Sequence, residues 1–416
     1  MIVAEVKKRN SIPSIPVVAI TCACIISLIA FGPRSAMGFF QLPMLQDTGW
    51  DRTTFAFAMA LQNLCWGLGQ PFFGAIADRY GTWRVLTVGA VLYISGLVTM
   101  AFAATPLWLY VGGGVLVGLG VAACSFGVIL AALARLVSAE KRSFVFGLGT
   151  AAGSAGMFLY APISKGLIDS LGWSDSLLVL SSIMLIIPVL AIALRGNTAS
   201  SKIASAELEQ SFAEALREAF AHKGYWLLTS GFFVCGFQVA FITAHFPAYI
   251  SDLGLEVRWA VIAISLIGFF NIIGSLASGI IGQHYSKPKF LALIYIGRTI
   301  AITVFLLTPA TPTTIVVFSV VIGILWLSTV APTNGLVAVM FGTRYLGMLG
   351  GIVFFSHQLG SFLGVWLGGV LYDRTGSYDV VWWIGVALGI FAAVVHWPIK
   401  EEAVERIPVA LPSESG

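Results

Sequence analysis

Two arginines stand where a chain this apolar has little reason to place a charge. Arg34 falls in the run G-P-R-S-A-M-G-F-F and Arg298 in I-Y-I-G-R-T-I-A-I, each inside a long hydrophobic stretch. A charge at the centre of a bilayer costs about 2.5–3.5 kcal/mol on insertion scales, so an ionisable residue there marks function by default. All of the acids fall in loops, tails or the ends of apolar runs, which leaves both cations without a carboxylate at their depth. The simplest counter-charge is an anionic substrate, because a planar guanidinium fork matches a carboxylate. The plainer alternative is that each arginine ties its helix to backbone carbonyls or braces a neighbour. His357 lies deep in a third apolar run, and a histidine changes charge near physiological pH. Gln238 and Asn271, with Gln62, Asn63, Gln70 and Asn334, are amides inside apolar runs. They can line a cavity or bond a neighbouring helix. His245, in A-H-F-P, reads as a gating or structural residue, and Trp66, Trp326 and Trp366 read as packing or interfacial residues.

A second cluster of charge lies between two apolar runs. Residues Gly74 to Arg84 read G-A-I-A-D-R-Y-G-T-W-R in a chain of which only 10% is charged. Gly81 permits a sharp reversal that a residue with a Cβ resists. Asp78, Arg79 and Arg84 flank it and are placed to cap helix ends and to pair with charges on adjoining helices. The stretch returns about half the chain later as G-I-I-G-Q-H-Y-S-K-P-K, from Gly279 to Lys289. Gly74 pairs with Gly279, Tyr80 with Tyr285 and Arg84 with Lys289, while Asp78 becomes Gln283. Such an offset is what a duplicated, two-half transporter shows.

The elements that position these residues follow from composition. Apolar residues make up 58% of the chain and the mean hydropathy is +0.92, more than a water-soluble domain of this length requires. A bilayer core of about 30 Å needs about 20 apolar residues per helix. Twelve runs meet that length: 15–42, 53–77, 84–104, 107–133, 143–168, 174–195, 225–250, 258–282, 289–308, 313–338, 346–371 and 378–398. The expected fold is therefore an all-α membrane protein, twelve transmembrane helices in two pseudo-symmetric six-helix halves. The halves are 1–195 and 224–400, joined by a linker, 196–223, and followed by a tail, 401–416. Within the linker Glu207, Glu209, Glu214 and Glu218 alternate with Leu208, Phe212, Leu216 and Phe220, the pattern of an amphipathic helix on a membrane surface. The basic stretch Lys7-Lys8-Arg9 precedes an apolar run too long for a signal peptide. Most of the 23 Lys and Arg lie in one alternating set of loops. That bias places both termini in the cytoplasm of a multi-pass protein of the cell inner (plasma) membrane. The bases are too dispersed for a nucleic-acid surface. The five cysteines show no metal-ligand spacing, and no phosphate-binding glycine loop signals direct ATP drive. No nucleophile–base pair suggests an enzyme, and no cofactor is expected. The partners expected are membrane lipid, a small organic anion and protons, for a monomer.

Two resemblances sharpen this. G-x-x-A-D-R-x-G-x-x-R between a second and a third helix resembles the signature loop of the major facilitator superfamily. There it acts as a latch in alternating access; the resemblance assigns that role to Gly74, Asp78, Arg79, Gly81 and Arg84. Pro33-Arg34-Ser35 followed by Phe39-Phe40 resembles helix 1 of the monocarboxylate transporter family. That family has Pro-Lys-Ser with two phenylalanines at the same spacing, and its lysine binds the substrate carboxylate; Arg34 matches that lysine. The family's aspartate and arginine on helix 8 fall on Asn271 and Ser275, so its proton-linked pair is missing. A lysine of the oxalate:formate antiporters on helix 11 falls on His357. Helix 5 carries G-L-G-T-A-A-G-S-A-G, with Ser154 where antiporters of the superfamily often have proline; close helix packing explains it equally. The expectation is a secondary transporter of a small organic anion, a monocarboxylate first, with substrate at Arg34, Arg298, His357, Asn271 and Gln238. Coupling is to a proton or to an exchanged anion. The rival readings are an efflux transporter of another substrate class and a transporter-like ligand sensor.

Overall fold

In a computed structural model the described residues are 17–125, 127–129, 132–133, 139–195, 211–342 and 345–404, with the side chains of Asp78, 139–147 and Phe212 excepted. All regular structure among them is helical. Ten stretches are long and apolar enough to cross a membrane. One of them, Leu148–Leu194, holds two helices. A further helix, Arg52–Tyr80, is 29 residues long; Gln62, Asn63, Gln70 and a charged end keep it outside that count. The result is the twelve helices expected.

In chain order they are α1 (Val17–Thr48), α2 (Arg52–Tyr80), α3 (Thr82–Ala101), α4 (Pro106–Ile129), α5 (139–171), α6 (173–194), α7 (Lys223–Asp252), α8 (Val257–His284), α9 (Lys287–Leu307), α10 (Pro312–Phe341), α11 (Leu346–Thr375) and α12 (Asp379–His396). A short linker helix, Phe212–Ala221, precedes α7. It starts with a reciprocal capping box between Ser211 and Glu214. The Ser211 backbone N–H and hydroxyl hold the Glu214 carboxyl below its ordinary range. Glu207 and Glu209, the other half of the expected amphipathic pattern, lie outside the described residues, as do Lys7, Lys8, Arg9 and most of the tail.

Local chemistry sets the boundaries. Asp51 caps α2 by accepting from the Thr54 N–H at 2.7 Å, satisfying a donor with no partner inside the helix. The α2–α3 turn is one residue, Gly81, with φ 95°. The α5–α6 turn is also one glycine, Gly172, at φ 81°. A residue with a Cβ is strained at either. The span expected at 313–338 is present as Pro312–Phe341, but not as one continuous helix. α10 is broken between Pro312–Leu325 and Val330–Phe341. Pro332 explains the break: its ring has no N–H and clashes with the carbonyl four residues back, that of Ser328. The freed Ser328 carbonyl accepts instead from the Ser278 hydroxyl on α8.

Inside a bilayer, helices associate through close packing more than through the hydrophobic effect. α7 and α11 meet where Gly236, Gly360 and Gly364 stand, and a Cβ on any of them would run into the opposite main chain. α2 packs on α11, α5 on α8, and α1 on α5. The first two of these pairings bring the first six helices against the last six. α2 gives the two ends their names here: the Arg52 end, where it starts, and the Gly81 end, where it stops.

Candidate functional site

Arg34 enters the protein because α1 is not regular. Pro33 sits inside its first segment, Val17–Ser35, and the chain then turns through Ala36 into a tight 3₁₀ turn, Met37–Phe40. Gly38 lets this turn press on α7: a Cβ there would lie 2.6 Å from the Thr243 carbonyl oxygen. The Arg34 guanidinium is thereby held between α1, α2, α7 and α11. One terminal nitrogen donates to the side-chain oxygen of Asn63. The Asn63 amide is oriented for this because its own N–H₂ donates to the Met59 carbonyl at 2.8 Å. The guanidinium carbon lies 4.5 Å from the centre of the Trp66 ring, a cation–π contact. Arg34 Nε is buried with no hydrogen-bond partner, and no ion pair among the described residues includes Arg34.

Beside it is a small pocket, lined by Arg34, Met37, Gly38, Met59, Gln62, Asn63, Ala240, Thr243, Ala244 and Val365. The volume open to the centre of a water molecule is about 20 Å³, room for about one water. Gln62 is anchored by donating to the Gly113 carbonyl at 2.8 Å, in the π-helical part of α4. The pocket thus offers one cation with unused donors, fixed amides and no acid. Chemically it can hold an anion.

The other expected site residues lie elsewhere. Arg298 is almost fully buried and is spent on the break in α10. It donates to the carbonyls of Leu325, at 2.7 and 3.0 Å, and Trp326. Gln238 accepts weakly from Arg298 at 3.5 Å and donates to the Gly385 carbonyl at 2.9 Å. Asn271 accepts from the Leu327 N–H at 3.1 Å and donates to Ser154 on α5 at 3.0 Å. These three surround the break rather than line the Arg34 pocket. His357 stands between: its ring stacks on Phe354 at 5.7 Å, and Phe354 meets Trp66 edge-on at 5.2 Å. An aromatic bridge therefore joins His357 to the ring that faces Arg34. Of the signature loop, Arg84 lies over Trp83, as Arg195 does at 4.2 Å, and Arg79 lies over Tyr80. Gly74 faces open space, and the Asp78 side chain is outside those described.

The sequence reading missed a clasp at the Arg52 end. Arg52 makes two hydrogen bonds to the Asp252 carboxylate, at 2.6 and 2.7 Å, and one to the Tyr378 hydroxyl at 2.8 Å. Its guanidinium lies 3.6 Å from the centre of the Tyr372 ring. Asp373, at the end of α11, accepts from the main-chain N–H groups of Arg52 and Thr53, an acid at a helix N-terminus. Tyr378 also meets His245 Nδ1 at 3.2 Å, and His245 Nε2 reaches the Val365 carbonyl at 2.8 Å. Val365 lines the Arg34 pocket, so a polar chain runs from the pocket to the clasp. Its hydrogen bonds join residues 120 to 326 positions apart in sequence, and Arg52, Asp252 and Asp373 each read alone as an ordinary charge at a helix end.

Comparison with known proteins bears on this arrangement. The sequence pattern of the Major Facilitator Superfamily matches residues 22–365. An uncharacterised MFS-type transporter of Bacillus subtilis is 23% identical over 87% of this chain and 90% of its own length. Monocarboxylate transporter 13 of Rattus norvegicus is 25% identical over 85% of this chain and 81% of its own. Monocarboxylate transporter 11 of Homo sapiens is 37% identical, over 34% of this chain and 28% of its own. In overall fold the chain is similar to a bacterial homologue of the human lysosomal transporter Spinster, with a TM-score of 0.72 and 14% identity over 92% of this chain and 96% of that one. A D-xylose–proton symporter gives a TM-score of 0.72 and 15% identity over 93% and 99%. With a match that runs from α1 into α11, this chain belongs to the Major Facilitator Superfamily.

Proposed function

We propose that this secondary transporter carries a small organic anion, a monocarboxylate first, and holds its carboxylate at Arg34. The observation that carries the reading is a half-buried arginine whose Nε is buried and unpartnered, fixed by Asn63 and Trp66 and in no ion pair among the described residues. An uncompensated buried charge is strongly unfavourable, and a carboxylate docked on the fork removes that cost. The names of relatives at low identity support the same substrate class. The Arg52 end faces outward and both termini face the cytoplasm of the cell inner membrane, as the distribution of Lys and Arg requires. The clasp is then an outer gate, and the signature loop around Gly74, Asp78, Arg79, Gly81 and Arg84 is an inner latch. Transport alternates between the two closures. His357, joined to the pocket through Phe354 and Trp66, is the candidate for a coupled proton; exchange for a second anion needs no such group.

The test is a thermal-shift screen of small carboxylates on the purified chain, since a ligand that binds the folded state raises its melting temperature with excess over Kd. Wild type is expected to be stabilised by at least one carboxylate, and Arg34→Gln by none, with normal membrane insertion of both. Undiminished stabilisation and uptake in Arg34→Gln would remove Arg34 as the substrate's partner.

A further inference from the structure

Gln41 on α1 and His245 on α7 are fully buried and adjacent, beside the Arg52 clasp. Gly368 on α11 makes room for the imidazole; a Cβ there would lie 2.5 Å from His245 Nε2. The hydrogen bonds around that ring have a direction. The Val365 carbonyl only accepts, so Nε2, 2.8 Å from it, carries a hydrogen. In the neutral ring Nδ1 is then bare and accepts. Two donors face it: the Tyr378 hydroxyl at 3.2 Å and, more weakly, the Gln41 amide nitrogen at 3.5 Å. The Tyr378 oxygen accepts from Arg52 at 2.8 Å, which leaves the phenolic hydrogen for His245. Each bond in the line Arg52, Tyr378, His245, Val365 therefore donates toward the pocket. One atom is left over. Gln41 Oε1 is buried with no hydrogen-bond partner, whereas buried side-chain acceptors in native proteins are paired.

A second proton on His245 turns Nδ1 from acceptor to donor. The line then no longer fits, because the Tyr378 and Nδ1 hydrogens point at each other. Turning the Gln41 amide over about its last bond exchanges nitrogen for oxygen with almost no change in shape, and brings Oε1 to the Nδ1 hydrogen. Tyr378 turns its own hydrogen away. Its oxygen is left between a guanidinium and an imidazolium, and like charges so close disfavour each other. The groups around the ring offer it no anion. α2 brings Arg52, α12 brings Tyr378, and α1 brings the neutral Gln41. On α11, Tyr372 lies against the Arg52 guanidinium, and Asp373 is taken by the Arg52 and Thr53 N–H groups. On α7, Asp252 has both oxygens on the Arg52 side chain.

We propose that His245 and Gln41 form a proton-binding site that unlocks the clasp. A proton taken up from the Arg52 side moves His245 from Tyr378 to Gln41, and the Arg52 end opens. The inference rests on the reading of the clasp as a gate and is independent of the carboxylate at Arg34. The proton returns to the side it came from. The site therefore answers to pH on that side rather than to the difference across the membrane, and it is separate from coupling at His357.

The experiment uses the full chain with Met37→Cys in oriented vesicles, with no carboxylate present and a membrane-impermeant maleimide on the Arg52 side. Labelling is read on the peptide that carries position 37. It is divided by the rate in the SDS-unfolded chain at the same pH, which cancels the pH dependence of the thiol itself. From about pH 7.5 to about pH 5 the ratio is expected to rise about tenfold in the otherwise unchanged chain. In His245→Gln it stays level. In Gln41→Leu, which removes the reserve acceptor and keeps the neutral line, the same rise needs about tenfold more protons. A level ratio in the unchanged chain, an undiminished rise in His245→Gln or an unshifted rise in Gln41→Leu would each overturn the proposal. Arg52→Ala separates it from the reading beneath it. Faster labelling in Arg52→Ala, with no response to pH in the unchanged chain, would overturn the proton site while the gate stands. Labelling indifferent both to Arg52→Ala and to pH would overturn both.

Discussion

The two intramembrane arginines have the same chemistry and opposite circumstances. Arg298 meets buried carbonyls at a helix break, three bonds to two of them. Arg34 meets one amide and one ring face, and keeps donors in reserve. Their substitutions are expected to separate. Arg298→Gln leaves the Leu325 and Trp326 carbonyls without a donor, a loss of about 1–3 kcal/mol for each. It should lower the melting temperature clearly while the folded fraction binds anion with nearly unchanged affinity; Arg34→Gln should do the reverse. Calorimetry with parallel melting curves reads both, and a selective loss of affinity in Arg298→Gln would return that residue to the substrate site. Arg34 was legible because Pro33, the glycines and the paired phenylalanines around it form a local pattern. The partners of Arg298 were not, because they exist only where α10 stops being a helix, though bracing against backbone carbonyls was one of its two sequence readings. Pro332 was the available signal for that break, and it was outweighed by the unbroken hydrophobicity of the run.

At the scale of helices, the clasp and the signature loop sit at opposite ends of α2. The clasp ties the start of α2 to the ends of α7 and α11 and the start of α12 through Arg52, Asp252, Asp373 and Tyr378. Contacts present in one conformer and absent in the other set the balance between them. Arg52→Ala removes such contacts from the form closed at that end. A cysteine introduced at Met37, in the pocket wall, should then react with a membrane-impermeant maleimide from the Arg52 side about tenfold faster. The same assay reads Asp78→Asn, which should slow the exchange between forms with little change in substrate affinity. A labelling rate indifferent to Arg52 would show the clasp to be a static brace. Helix positions and the one-residue turn at Gly81 were legible, since hydrophobic length and turn chemistry are local. Which helix ends would meet was not, because hydropathy carries no information on lateral neighbours.

At the scale of the whole molecule, the proposed anion transport predicts how uptake responds to a proton gradient. His357 is linked to the pocket through Phe354 and Trp66. If it couples, its protonated form adds positive charge and favours the anion, and release follows loss of the proton on the more alkaline side. In proteoliposomes an inward proton gradient should accelerate wild-type uptake severalfold, and His357→Gln should abolish that acceleration while leaving exchange. Uptake indifferent to the gradient yet accelerated by internal carboxylate would assign the protein to anion exchange. The twelve-helix fold was legible from length and hydropathy. The closed pocket was not, since it depends on how Gly38, Gly67 and the aromatic side chains pack once the helices have met.

That pocket has a consequence for solvent. With room for about one water, the pocket itself holds no file of waters, and a carrier that closes over it is expected to move almost no water per turn. Vesicles packed with the protein and exposed to an osmotic step should therefore shrink no faster than protein-free vesicles of the same lipid, in light-scattering records. The carrier would then run without leaking the osmotic balance of the membrane it sits in.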